Sequence, residues 1–395
     1  MNDGLSTIDR RALIAVAVQF FVNGMLFASF VPRLPEIRDR IDIGNDALGR
    51  LLAAGALAGV LGSLVVGRLI ERFGTRNLLI VAGIALCSSL SIIGVATVPA
   101  VLVIGLAAMS IFDVLVDSAM NLQGSWISGR RRAPVMNRLH GLWSLGTVVG
   151  GVGASQVAGL GVSLRTHLFA VTIILLVVVL FVGTNLLRDD EYVIEQSIGE
   201  PVGPPISGTP GTPTSFPTRW LRGPLVLFAV VGACSVAMEV TSSDWAAFRL
   251  SDDFGAAAAV AGLGYVAFTS GMTVGRFGGD SMIVRFGQRR VADVGIAMTI
   301  AGLAVSSFVP NEFIVMLGYL AAGLGVATQF PRLYDEAARF PGRPGAGLGA
   351  LTGGSRVALL FTPLAVGSLA ESRLSVGAAT AIVTLPAAVL FMLLI

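Results

Sequence analysis

Long apolar runs separated by short polar turns dominate the chain. Runs of about 20 residues, enough to cross the hydrocarbon core of a bilayer as a helix, recur twelve times. They lie at approximately 12–31, 47–68, 77–97, 100–127, 137–159, 167–187, 224–248, 255–276, 290–309, 312–333, 346–369 and 374–395. No stretch alternates apolar and polar residues as a membrane β-barrel does, so the pattern predicts an all-α membrane protein with twelve transmembrane helices. Residues 188–222 stand apart, with five acids followed by six prolines among Gly, Ser and Thr. Such a stretch cannot bury a core and predicts a flexible linker. It divides the chain into a six-helix half at 1–187 and another at 223–395.

The two halves repeat. Gly67-Arg-Leu-Ile-Glu71-Arg72-Phe73-Gly74-Thr75-Arg76 follows span 2, and Asp280-Ser-Met-Ile-Val-Arg285-Phe286-Gly287-Gln288-Arg289 follows span 8. Both carry Arg-Phe-Gly-x-Arg, 213 residues apart. A repeat at corresponding loops predicts a duplicated, pseudo-symmetric transporter fold with its site between the halves.

Composition sharpens this picture. Hydrophobic residues make up 54% and charged residues 13%, against about 25% charged in soluble domains. The formal net charge of +3 is spread over loops, which argues against a nucleic-acid partner. Every basic residue is Arg. Without Lys there is no Walker A loop, which argues against ATP hydrolysis by this chain. Cys87 and Cys234 lie in apolar runs and read as core residues. The polar start Met1–Arg11 leads straight into a full-length span, which would act as its own insertion signal. Loops after spans 2, 4, 8 and 10 carry fourteen Arg, and loops after the odd spans carry seven. The positive-inside rule therefore places the even loops and both termini in the cytoplasm, with the protein in the plasma (inner) membrane.

The most informative polar residues lie inside apolar runs. Asp113, Asp117 and Asn121 in span 4 are spaced i, i+4, i+8, which lines them along one helix stripe. A carboxylate near the bilayer centre costs about 2.5–3.5 kcal/mol on insertion scales, so two on one face are compensated or used. Burial and a neighbouring carboxylate both favour the protonated form of an acid, which suits a proton carrier. Depth favours Asp113 as that carrier. Glu239 in span 7 would face the same cavity from the other half. Arg356 in span 11 is the one deep basic residue, opposite three acids. That balance suits a neutral polar solute or a cation better than an anion. Gln19 and Asn23 in span 1, Asn121, Glu239, Gln329 in span 10 and Arg356 are the candidate substrate ligands. For each of them the competing reading is a structural bond between helices. Trp245, near the expected end of span 7, reads as an interface anchor.

Six plus six helices, a long central linker and the loop after span 2 together resemble the major facilitator superfamily. The superfamily loop pattern, Gly-x-x-x-Asp-Arg-x-Gly-Arg-Arg, is matched at Gly67, Arg72, Gly74 and Arg76, with Glu71 for the Asp and Thr75 for the first Arg. The resemblance implies a gate that holds the cytoplasmic ends of the halves together. It would be formed by Gly67, Glu71, Arg72, Gly74 and Arg76 with Asp280, Arg285, Gly287 and Arg289. More narrowly, the chain is similar to the fucose-permease-related, YbjJ-like branch. That likeness rests on Pro32-Arg33-Leu34-Pro35-Glu36-Ile37-Arg38, Asp117-x-x-x-Asn121, His140-Gly141-x-x-Ser144-Leu145-Gly146 and Asp244-Trp245. It favours Asp117 over Asp113 as the coupling acid.

The expected activity is secondary active transport of a small neutral polar solute such as a sugar, coupled to protons, with no cofactor or metal and with the monomer as the working unit. A proton-coupled multidrug or metabolite efflux antiporter is the alternative. It is weakened by the lack of Arg in span 4 and of a Gly-Pro pair in span 5. An enzyme is not expected, because His140 and His167 are the only histidines and no His-Glu-x-x-His or Gly-x-Ser-x-Gly motif occurs.

Overall fold

In the computed structural model of the protein, which describes residues 6–131, 135–188, 218–338, 340 and 346–395, all twelve apolar runs fall on helices. The first group comprises α1 (Thr7–Ala28), α2 (Leu34–Arg40), α3 (Asn45–Ser63), α4 (Val66–Phe73), α5 (Thr75–Val95), α6 (Pro99–Arg131), α7 (Met136–Gly159) and α8 (Leu164–Asn185). The second comprises α9 (Thr218–Phe254), α10 (Ala258–Phe286), α11 (Gln288–Phe308), α12 (Glu312–Val326), α13 (Gln329–Ala338), α14 (Ala346–Glu371) and α15 (Val376–Leu394). Among the described residues there is no strand, and ten helices are long and apolar enough to cross a membrane. Residues 189–217, most of the expected linker, lie outside the described residues.

Local chemistry sets the helix ends. Side-chain oxygens of Ser6, Ser163, Asn311 and Ser375 accept from backbone N–H groups three residues on, capping α1, α8, α12 and α15. Gly74 both ends α4 and starts α5 at φ 76°, and Gly287 does the same between α10 and α11 at φ 85°. Only glycine takes that conformation without steric cost. The turn therefore explains the glycine of the repeated Arg-Phe-Gly-x-Arg.

Four helix boundaries stand out from the sequence reading. The expected span 312–333 breaks at Ala327–Thr328, and α13 begins at Gln329. Pro331 brings no N–H to continue the ladder of α12. Span 2 stops at Ser63, and the loop motif begins on the separate helix α4. Meanwhile α9 and α10 run on to Phe254 and Phe286. Arg276, counted as a loop arginine, thus lies inside α10.

Small residues let the helices approach closely. A Cβ added at Gly24 of α1 would overlap the Trp143 carbonyl of α7, and one at Gly146 would overlap the Phe21 carbonyl. Two seams join the groups: α7 packs on α10, and α3 packs on α14. Outward faces are apolar, with Ile173, Val177 and Phe181 on α8 and Phe313 and Leu317 on α12 exposed. Lipid contact requires such faces.

We call the end of the bundle with the α2 turn and the α9–α10 and α14–α15 turns the odd-loop end. The opposite end, with Gly74 and Gly287, is the even-loop end.

Candidate functional site

Two polar groups lie where the helix groups meet. The first is built on α6, whose unbroken helix carries Asp113, Asp117 and Asn121 on one stripe. Asn23 Nδ2 of α1 donates to Asp113 Oδ1 at 3.1 Å. Asn121 Nδ2 donates to Asp117 Oδ1 at 2.9 Å and to the Asp117 carbonyl at 2.8 Å. Asp113 is half-buried, and Asp117 is exposed. Arg356 of α14 acts electrostatically on both carboxylates from the other group. No ion pair joins it to either acid among the described residues. Gln19, one turn from Asn23, is 1% exposed, and its Oε1 has no hydrogen-bond partner among the described residues.

The second group is built on α9 and α10. Arg276 Nη2 donates to Glu239 Oε1 at 3.4 Å, and Arg276 Nη1 donates to Ser144 Oγ of α7 at 2.8 Å. The guanidinium also lies 5.6 Å from the centre of the Trp143 ring. Ser144 Oγ donates onward to the His140 carbonyl at 3.2 Å, and His140 stands edge-on to Phe20 at 5.2 Å. Tyr265 of α10 packs against Gly151 of α7, within electrostatic reach of Glu239 and Asp244. Asp244 accepts from Ser243 Oγ at 3.2 Å.

Sequence reasoning gave two of these residues no part in the site. Arg276 was counted among the loop arginines, and Tyr265 has no periodic signal of its own. Trp245 is not an interface anchor: it is 1% exposed and packs 5.0 Å from Phe248.

Gln329 sits elsewhere. It is buried, and its Nε2 donates to the Ala292 carbonyl at 3.0 Å. Gln123 does the equivalent in the first group, donating to Thr75 Oγ1 at 2.7 Å and to the Leu187 carbonyl at 2.9 Å. Each glutamine ties neighbouring helices together near the even-loop end.

At the odd-loop end the groups are bonded together. The Pro32–Arg38 turn folds inward, with Arg33 clamped on Glu36 at 2.7 and 2.8 Å and on the Val162 carbonyl at 3.0 Å. Arg38 then reaches across to both oxygens of Asp252, one of them at 3.0 Å. Glu371 of α14 accepts from the backbone N–H of Asn45 at 2.6 Å, placing a carboxylate at the positive start of α3. Ser368 donates to Asp46 at 2.9 Å. Towards the even-loop end, Gly67 of α4 and Gly349 and Gly353 of α14 meet nothing within 4 Å of where a Cβ would stand.

The loop motif lies at the even-loop end. Glu71 and Arg72 are exposed on α4, and Arg285, Gly287 and Arg289 are exposed around the second turn. Arg76 Nε donates to the Gly183 carbonyl at 2.8 Å, satisfying the end of α8 within its own group. Arg289 lies 4.0 Å from Asp293 on the same helix. The side chain of Asp280 lies outside the described residues.

The sequence model of the Major Facilitator Superfamily matches residues 16–248. An uncharacterised MFS-type transporter of Yersinia pestis is 27% identical over 368 residues, covering 92% of this chain and 90% of that protein. Membrane protein MosC of Rhizobium meliloti is 26% identical over 332 residues, covering 82% and 75%. Among solved structures, a nucleoside transporter, NupG, superimposes with a TM-score of 0.74 at 12% identity, over 96% of this chain and 99% of that one. The xylose transporter XylE from E. coli, in a partially occluded inward-open conformation, gives 0.69 at 12% identity, over 97% and 96%.

Proposed function

The chain belongs to the major facilitator superfamily, a family of multi-pass membrane transporters and not of enzymes, and from this premise we propose that it moves a small neutral polar solute, such as a sugar, by proton-coupled alternating access. The observation that carries the reading is that Arg356 of one helix group lies within electrostatic reach of Asp113 and Asp117 of the other, with no ion pair to either acid among the described residues. Opposite charges held apart leave room for a polar ligand, with Asn23, Asn121 and Gln19 as further hydrogen-bonding groups. Asp113, Asp117 and Glu239 are the proton carriers of this proposal, and Asp117 is the exposed member of the α6 pair. The cavity groups are polar and hydrogen-bonding, which favours a hydrophilic solute over the hydrophobic cargo of an efflux antiporter. Nucleoside and xylose transporters of the same fold handle polar neutral solutes, in keeping with this reading.

The remaining elements of the proposal follow from the same frame. The halves are 1–187 and 223–395, joined by the 188–222 linker. The even loops and both termini face the cytoplasm of the plasma (inner) membrane, so the protein is open inward and shut outward. When the even-loop end closes, Gly67, Glu71, Arg72, Gly74 and Arg76 meet Asp280, Arg285, Gly287 and Arg289. The protein works as a monomer of the fucose-permease-related branch.

The test is reconstitution into liposomes that enclose a pH-sensitive dye, challenged in turn with sugars, polyols, nucleosides, amino acids and cationic drugs. We expect a neutral polar solute to drive proton movement. Proton movement driven only by hydrophobic cations would favour efflux. Solute uptake with no proton movement would remove the coupling.

A further inference from the structure

The α7–α10 seam contains a charged residue that neither the loop motif nor the α6 acids account for. Arg276 lies inside α10 and is in direct contact with both halves. Its Nη2 meets Glu239 of its own half at 3.4 Å, and its Nη1 meets Ser144 Oγ of the other half at 2.8 Å. Trp143, on the same turn of α7 as Ser144, presents its ring to the guanidinium at 5.6 Å. The side chains of Arg276 and Glu239 are only 18% and 25% exposed. A partly buried charge deprived of its counter-ion is costly, so the position of the guanidinium depends on the charge of Glu239. The other titratable groups around the pair are Asp244 on α9, Tyr265 on α10 and His140 on α7, and none is bonded to Arg276 as Glu239 and Ser144 are.

We propose that Arg276 is a coupling bridge: the carboxylate of Glu239 holds its fork in register with Ser144, so loss of that negative charge, to a proton or to a bound ligand, loosens the α7–α10 seam. This rests on the alternating-access reading above. It adds a residue that links an acid of one half to the surface of the other. Arginine suits the task because its planar fork bonds two partners at once, which the point charge of lysine does not.

Ser155 provides the readout. It lies on the same seam nearer the odd-loop end, is 1% exposed, and faces Gly262 of α10. In a full-length chain carrying Cys87→Ala, Cys234→Ala and Ser155→Cys, the rate of modification by a membrane-impermeant maleimide reports how often the seam opens. Ala259→Cys, on the facing helix, is the second reporter. Glu239→Gln is expected to raise the rate about fivefold, the size of coupling seen between contacting residues. In Ser144→Ala, Arg276→Gln and Arg276→Lys backgrounds the starting rate is already raised, and Glu239→Gln adds less than about twofold. If Glu239→Gln multiplies the rate equally in every background, the bridge is overturned while two-state exchange stands. A rate that no variant changes, with either reporter, overturns alternating access and the bridge together.

Discussion

The two polar groups at the meeting of the halves are built from the same parts and arranged differently. Each sets acids of one half near an arginine, and each engages the opposite half. Around Asp113 and Asp117 the arginine comes from across the gap, and no ion pair closes the distance. Around Glu239 the arginine belongs to the same half and already touches Ser144 of the other. In the first arrangement the arginine stands off from the acids, and in the second it is bonded to one. A transporter needs both kinds of contact: a place where the ligand completes the charge pattern, and a place where the protein senses that event. We propose on this comparison that ligand binding belongs to the α1–α6–α14 group and transmission to the α9–α10–α7 group.

Substitutions can break or sharpen this division. The largest effect is expected from Asp113→Asn, which removes the half-buried acid bonded to Asn23. Solute-driven proton movement is predicted to vanish in dye-loaded liposomes, with Asp117→Asn losing less. A smaller effect is expected from Arg356→Gln. Losing one charge-assisted hydrogen bond to the solute raises the half-saturation concentration about 10- to 100-fold, with turnover at saturation retained. Next comes Arg276→Lys, predicted to slow turnover about fivefold while leaving the half-saturation concentration near its original value. An effect on half-saturation instead would move Arg276 into the binding group and collapse the distinction. The smallest effect on transport is expected from Gln123→Ala. It leaves the carbonyl of Leu187 and the hydroxyl of Thr75 without this donor and costs about 1–3 kcal/mol of stability. Thermal unfolding in detergent should show that loss, with transport by the surviving protein unchanged.

Much of the fold was legible in the sequence because lipid leaves few options. A buried backbone without water must bond to itself, so each apolar run of spanning length becomes a helix. The stripe of Asp113, Asp117 and Asn121 was legible for the same reason, since helical spacing fixes which residues share a face. Arg276 was not, because a charge followed by glycines resembles a helix end, and its partner Ser144 lies 132 residues away. Nor was the closure of the odd-loop end, where Arg38 and Asp252 are separated by 214 residues. The Pro32–Arg38 motif signalled a turn, and only the packed structure shows what Arg38 grips. Gln123 and Gln329 are alike in sequence to any membrane glutamine. Their common role appears once both are seen bonded near the start of the helix that follows the repeated glycine turn.

The most direct test of proton-coupled transport through these acids is a comparison of gradient-driven accumulation with exchange. Liposomes holding wild type, Asp113→Asn, or the Asp113→Asn, Asp117→Asn, Glu239→Gln triple variant would be given the radiolabelled solute found in the proton screen. One set would carry a pH gradient, and the other would have equal solute on both sides. The account predicts that wild type accumulates solute with the gradient. Asp113→Asn should lose accumulation and keep exchange. Accumulation that persists in the triple variant would contradict it.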